Sequence, residues 1–346
     1  MNRHPTIPVW LLVSGLILPV MACEPAAEPE HSHFYAMGTR IELTVQGDAD
    51  AARQSLAPRF ETWQQRWDAW GSGELGELNE ALAGSGQVTV PDTLAPVLDK
   101  AFELGRDSQG YFHPGLGNLV EAWGFHRQPR PDASPPPTET ELSTLLAALP
   151  TMEELRLEGN RLHVPRPGLR LDLGGLIKGV TLDQLKQLLP EKGITSGIIN
   201  LGGDVLVLGE AGQRPWRIGI IDPRGEQVLA GLEVADGECL LTSGDYERDF
   251  EYGGERFHHL LHPEYGRPAR GTASATVVAR DCARADAAAT ALFVAGPEHW
   301  PAIAARMQVR QVMIVTHEGQ VEVTPELAPR LDFPHRQPEI RERTLP

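Results

Sequence analysis

Residues 171 to 183 read LDLGGLIKGVTLD: an apolar run, a glycine pair, then a lysine ahead of a helical pattern. A P-loop needs its lysine followed at once by Ser or Thr, and here Lys178 is followed by Gly179. A nucleoside triphosphatase is therefore disfavoured. The G-x-G-x-x-G order of a Rossmann turn is also missing, so any dinucleotide the chain meets must be held in another way.

Outward from this stretch, strands and helices mix without a regular βαβ repeat, which predicts an α+β fold and not a doubly wound sheet. FYAMGTRIELTV near the start alternates as one strand does. The segment DADAARQSLAPRFETWQQRWDAW has helical spacing that places Leu56, Phe60, Trp63 and Trp67 on one side. Further helices are expected over Thr93 to Ser108, Thr138 to Leu149, Leu176 to Leu189, Ala283 to Val294 and Trp300 to Met307. Gly159-Asn160, Gly253-Gly254 and Glu318-Gly319 each separate short apolar runs and read as hairpin reversals. GIINLGGDVLVLG and SATVVAR read as buried strands. The Pro-rich QPRPDASPPP reads as a surface loop, and the tail from 331 to 346 as irregular.

The chain has 346 residues, 41% of them hydrophobic, enough for a substantial core. Its formal net charge of -16 is spread along the chain, which argues against a nucleic-acid partner or an anionic membrane surface as the main target. An anionic ligand would need a local device such as a metal ion or the amides of a helix start. The N-terminus, MNRHPTIPVWLLVSGLILPVMAC, places Arg3 before an apolar stretch from Ile7 to Ala22 and reads as an export signal over residues 1 to 22. Val20-Met21-Ala22-Cys23 resembles the lipobox of bacterial lipoproteins, in which the cysteine is lipidated; a plain secretory signal is the alternative. Residues 23 to 32 then form a lipidated cysteine and tether, with the body beginning at His33. Cys239 and Cys282 remain as thiols, and the favoured reading is two unrelated buried cysteines, a disulfide being the alternative.

Two segments carry chemistry. In CARADAAATALFVAG, Asp286 and Thr290 are four apart on a helix of small and apolar residues, so both oxygens project from one face. Such a pair suits a hard cation such as Mg²⁺, or else a buried Asp that caps a neighbouring loop while Thr290 bonds back to its own helix. In FHHLLHPEYGRP, His258, His259 and His262 cluster beside a turn. Adjacent His258 and His259 would face opposite sides of a strand, which argues against a shared zinc and leaves one inward histidine as a general base or a structural residue.

These pieces occur in one order: YAMGTRIEL, WDAWGSGELGELN, GYFHPGLGNLVEAWGF, LDLGGLIKGVTLD, GIINLGGDVLVLG, WRIGIIDPR, TSGDYERDF, FHHLLHPEYGRPA and ADAAATALFV. In that order the sequence resembles the ApbE family of bacterial FAD:protein FMN transferases, from about Phe34 to Leu327. The resemblance implies a T-fold-like mixed sheet with helices, forming one large catalytic unit over residues 33 to 330. It implies a Mg²⁺ ion held by the Ile177 carbonyl, Asp286 and Thr290, and FAD as substrate. Met37, Trp70, Tyr111, Phe112, His113, Gly174, Asp183, Leu260 and Ala289 would line the flavin nucleotide site. His259 would be the general base. Lys178 would add charge near the phosphates or face solvent. The implied partner is an acceptor protein whose Thr or Ser receives FMN. The implied location is the bacterial envelope, anchored through Cys23 to the inner membrane and facing the periplasm.

The chain departs from the family pattern where His113 and His262 replace aspartates, Gly115 a threonine and Asn118 a proline. Three functions are consistent with the resemblance: FMN transfer to protein, which is favoured; Mg²⁺-dependent hydrolysis of FAD to FMN and AMP; and flavin binding without catalysis, against which Asp286 and Thr290 count.

Overall fold

The computed structural model describes residues 28–127, 135–335 and 338–346. The expected signal, Cys23, residues 24–27 of the tether and most of the Pro-rich segment lie outside the described residues.

The chain opens with a hairpin, β1 (Glu30–Ala36) and β2 (Thr39–Val45), followed by helices α1 (Ala49–Trp67) and α2 (Glu74–Gly84). After β3 (Gln87–Thr89) come α3 (Ala95–Asp107), α4 (Gly117–Trp123), α5 (Glu139–Ala148) and the short hairpin β4 (Arg156–Glu158) and β5 (Arg161–His163). Helix α6 (Ile177–Glu191) leads into β6 (Gly197–Leu201), β7 (Asp204–Leu208), β8 (Trp216–Ile221), β9 (Val228–Val234) and β10 (Cys239–Gly244). The hairpin β11 (Asp249–Tyr252) and β12 (Glu255–His258) precedes β13 (Thr272–Ala279) and α7 (Cys282–Arg306). The chain closes with β14 (Gln311–Thr316), β15 (Val321–Val323), β16 (Leu331–Asp332) and β17 (Ile340–Glu342).

Nine strands form one sheet in the order β1-β2-β6-β7-β10-β13-β14-β15-β17, antiparallel except for the parallel β15/β17 pair. Helices α1, α6 and α7 pack on one face, and the small sheet β16-β9-β8 lies over the other. Strand β10 shows why both faces are apolar: Cys239 and Leu241 join the core under the helices while Leu240 joins the core under the small sheet. A strand buried on both faces needs an unbroken apolar run, and all five residues of β7 are buried. A third cluster, with Trp123, Phe125, Leu142 and Phe257, packs α4 and α5 against the β11/β12 hairpin.

The α+β expectation holds, and Leu56, Phe60, Trp63 and Trp67 are all buried along α1. Three local expectations are corrected. FYAMGTRIELTV is a hairpin and not one strand, because Met37 (φ 53°) and Gly38 (φ 73°) take the left-handed conformations of a two-residue reversal. Strand β1 begins at Glu30, inside the expected tether. The tail is not irregular throughout: β16 extends the small sheet and β17 adds to the large one. The helices expected at 283 and 300 are both present, as two helical stretches of α7 separated by the non-helical Gly296 (φ 73°). Helices α2 and α4 had not been read from the sequence. Finally, Cys239 and Cys282 are not unrelated: they form a disulfide, with Cα atoms 5.5 Å apart, between the start of β10 and the first turn of α7.

Candidate active site

The LDLGG segment turns into α6 through an Asx turn, Gly174 N–H donating to Asp172 Oδ1 at 2.8 Å. No side chain of the turn itself caps α6. One amide of its first turn is instead satisfied from α7, Gly179 N–H donating to Asp286 Oδ2 at 2.7 Å. A glycine is needed at 179 because a Cβ there would lie 2.3 Å from the Cys282 carbonyl oxygen. A Cβ at Gly175 would likewise lie 2.7 Å from Thr290 Oγ1. The two glycines let the start of α6 touch the two oxygen-bearing residues of α7.

Asp286 thus caps a neighbouring helix with one oxygen, and among the described residues its Oδ1 has no hydrogen bond. Thr290 does not bond back to its own helix; its Oγ1 lies 3.2 Å from Ser243 Oγ on β10. The Ile177 carbonyl opens α6 and accepts from Thr181 Oγ1 at 2.8 Å.

Lys178, one residue on, forms an ion pair with Asp204 at the start of β7, whose other carboxylate oxygen accepts from Thr242 N–H at 2.9 Å. Burial works to lower the Lys178 pKa, but the charges of Asp204, Glu247 and Asp286 outweigh it and hold the ammonium charged. Asp286, only 4% exposed, is pushed up to about 7 by burial and by Asp204, against the pull of Lys178. Burial also raises Glu247, with Lys178 opposing and Asp204 reinforcing. Three carboxylates face one ammonium. That surplus of negative charge, together with a carboxylate, a hydroxyl and a carbonyl at one helix start, fits a hard divalent cation such as Mg²⁺.

Beside this cluster stands His259. Its ring Nδ1 lies 3.3 Å from the Arg248 carbonyl oxygen, which can only accept, so the proton is on Nδ1, and among the described residues Nε2 makes no hydrogen bond. Burial, reinforced by the charge of Arg248, lowers its pKa to about 3, and the charge of Lys178 is also felt there. The ring is a neutral acceptor at ordinary pH. His258 is turned elsewhere, its Nε2 bound to the Ala269 carbonyl at 2.9 Å.

The remaining expected residues divide. Met37 packs on the core, its sulfur 3.6 Å from Thr181 Oγ1. Trp70 is half-buried, with the His126 ring tilted against it at 4.8 Å and the Arg170 guanidinium 4.9 Å from its ring. Tyr111 meets His262 edge-on at 5.7 Å. Phe112, Leu260 and Ala289 are buried in the core. Two residues are committed within the fold. His113 spends both ring nitrogens internally, Nε2–H donating to the Pro150 carbonyl at 2.9 Å and Nδ1 accepting from Gly115 N–H at 3.0 Å. Asp183 spends both oxygens on the amides of Cys282 and Ala283, capping α7. Sequence reasoning missed Asp204, Ser243 and Glu247. The available signal for Asp204 was an acidic residue directly after Gly202-Gly203 at the head of an otherwise apolar strand. A cleft of about 430 Å³ between β8 and the β6/β7 hairpin ends on Thr242, Tyr246 and Glu247. A cavity of about 710 Å³ at the C-terminal edge is lined by none of these residues.

Hard oxygen donors of α6 and α7 meet a lysine paired to the head of β7, a set of groups whose chemistry suits a divalent cation and an anionic ligand. The chain belongs to the ApbE family, whose model matches residues 37–314. It is 40% identical over 327 residues to the FAD:protein FMN transferase of Rhodobacter capsulatus, covering 93% of this chain and 62% of that protein. It is 30% identical to the FAD:protein FMN transferase of Vibrio cholerae, covering 90% of this chain and 95% of that one. The ApbE protein of Thermotoga maritima has a similar structure, with a TM-score of 0.80 at 27% identity, covering 88% of this chain and 99% of that one.

Proposed function

We propose that the chain is an FAD:protein FMN transferase that moves FMN from FAD to a Thr or Ser hydroxyl of an acceptor protein and releases AMP. The observation that carries this reading is the convergence of the Ile177 carbonyl, Asp286 and Thr290 at the start of α6, in a chain whose relatives bear that activity. These three groups would hold Mg²⁺, which supplies positive charge to the FAD pyrophosphate. His259 Nε2, on a neutral ring and without a hydrogen bond among the described residues, takes the proton of the acceptor hydroxyl. The hydroxyl oxygen forms a bond to the FMN-side phosphorus as the bond from that phosphorus to the bridging oxygen breaks, and AMP leaves with that oxygen. Lys178 is held charged by Asp204 and adds to the positive charge available to the phosphates. Trp70 and Met37 offer an aromatic face and a thioether to the flavin ring. In phosphoryl transfer, positioning and charge stabilisation carry most of the catalysis, so these parts are sufficient.

Lipidation at Cys23 and a periplasmic location belong to the same proposal. The Cys239–Cys282 disulfide supports the periplasmic location, since such bonds persist in oxidising compartments.

The test is incubation of the purified protein with FAD, Mg²⁺ and a candidate acceptor domain, followed by intact-mass analysis and nucleotide chromatography. An acceptor heavier by one FMN, with AMP released in step, is the expected result. Free FMN and AMP with every acceptor unmodified would replace the transferase by a hydrolase.

A further inference from the structure

The base is held by a loop that has no regular structure of its own. Residues 245 to 248 join β10 to β11, and the Arg248 carbonyl at the end of that loop accepts from His259 N–H at 3.1 Å and faces His259 Nδ1 at 3.3 Å. The other end of the loop is fixed by Asp245, which is 4% exposed. Its carboxylate receives a two-pronged contact from Arg224, Nη1 to Oδ1 and Nη2 to Oδ2, each at 2.7 Å. Arg224 is in turn set by its own turn, its N–H donating to Asp222 Oδ1 at 2.8 Å, and its Nη2 lies 2.8 Å from His317 Nδ1. Arg256 holds the same loop from the hairpin side, donating to the Asp245 carbonyl at 2.8 Å and to Asp249 Oδ2 at 2.5 Å.

A bidentate guanidinium–carboxylate contact fixes orientation as well as distance, here on a carboxylate that is itself buried. The Arg224 fork therefore ties the β8/β9 turn to the loop that presents the Arg248 carbonyl. That carbonyl selects the Nδ1–H tautomer of His259 and aims its Nε2.

We propose that Arg224 and Asp245 are positioning residues for the reaction: through the loop 245–248 they fix the tautomer and aim of His259. The inference rests on the reading of His259 as the base.

The experiment is a double-mutant cycle on FMN transfer with Arg224→Gln, His259→Gln and the double variant, with FAD affinity and Tm measured in each. Arg224→Gln is expected to lower kcat 10-fold to 100-fold with FAD affinity within 2-fold of wild type, and to cause no further loss of rate in the His259→Gln background. Arg224→Lys, which keeps the charge and loses the fork, should recover only part of the rate. If Arg224→Gln fails to fold, the same cycle run with Arg224→Lys decides. Additive losses, or an unchanged kcat in a folded Arg224 variant, would overturn the positioning role while leaving the base in place. Full activity in His259→Gln would instead remove the base, and this inference with it.

Discussion

Gly179 and Asp286 are in direct contact: the Gly179 amide donates to Asp286 Oδ2 at 2.7 Å, and a Cβ at 179 would stand 2.7 Å from the Asp286 Cβ. The close crossing of α6 over α7 would let a helix-start carbonyl and an α7 carboxylate serve the proposed ion. Gly179→Ala should force the helices apart, destabilising the fold by about 1–3 kcal/mol. It should also shrink the rise in Tm that Mg²⁺ produces in the wild-type protein. Gly84→Ala is the control, because at the end of α2 a Cβ meets nothing within 4 Å. Calorimetry of both variants with and without Mg²⁺ checks this; an unchanged Mg²⁺ response in Gly179→Ala would dissociate the helix crossing from the metal site.

The disulfide joins residues 43 apart in sequence, both fully buried. Closing a loop of that length in the unfolded chain is worth about 4 kcal/mol in the chain-entropy account. Denatured protein purified without reductant should therefore show Cys239 and Cys282 unreactive to a thiol reagent, and Cys239→Ala/Cys282→Ala should unfold at markedly lower urea. Two titratable thiols in freshly purified protein would refute the pairing.

What could be read in advance and what could not divide along physical lines. The α1 stripe of Leu56, Phe60, Trp63 and Trp67 and the Gly-marked hairpins were legible because period and turn chemistry are local. Asp286 and Thr290 were visible as a helix-spaced pair, and their partners were not. Lys178 meets Asp204, and Arg224 meets Asp245, across strand connections that no local pattern encodes. The disulfide was unreadable for the same reason. At Met37-Gly38 the failure was of another kind, since alternation runs through the reversal and the methionine gives no turn signal.

The tail provides a third test. Glu322 is 1% exposed, accepts from Trp300 Nε1 at 2.7 Å and pairs with Arg343 at 2.6 Å, just beyond β17. Deleting residues 339 to 346 would leave a buried carboxylate with no cation, a loss of about 3–5 kcal/mol. Adding Glu322→Gln to the deletion should recover part of it, because the neutral amide needs no counter-charge. Urea midpoints of the three proteins decide, and a deletion without effect would remove the tail from the folded core.

His113 stands where the family pattern has an aspartate. It is 8% exposed, and its Nε2–H satisfies the Pro150 carbonyl. An aspartate could still accept from Gly115 N–H but could not donate to Pro150. His113→Asp should therefore cost about 1–3 kcal/mol of stability and leave FAD affinity within about 2-fold of wild type. Substantially tighter FAD binding in the variant would show that the carboxylate acts on the nucleotide directly.

The neutral state of His259 has a sign that can be measured. Its folded pKa is depressed to about 3 while the unfolded chain protonates near 6.5, so the unfolded state binds the extra proton between those values. Stability from this residue is complete above pH 6.5 and declines as pH falls toward 3. Between pH 8 and pH 5 the wild-type protein should lose about 1–2 kcal/mol more than His259→Gln, which has no proton to take up there. The comparison is made from urea unfolding without Mg²⁺ or FAD, so that groups common to both proteins cancel. Equal losses in the two proteins would mean that His259 titrates normally in the folded state and carries a proton at pH 5. A base so protonated would leave an acid limb near 6.5 in the rate of FMN transfer.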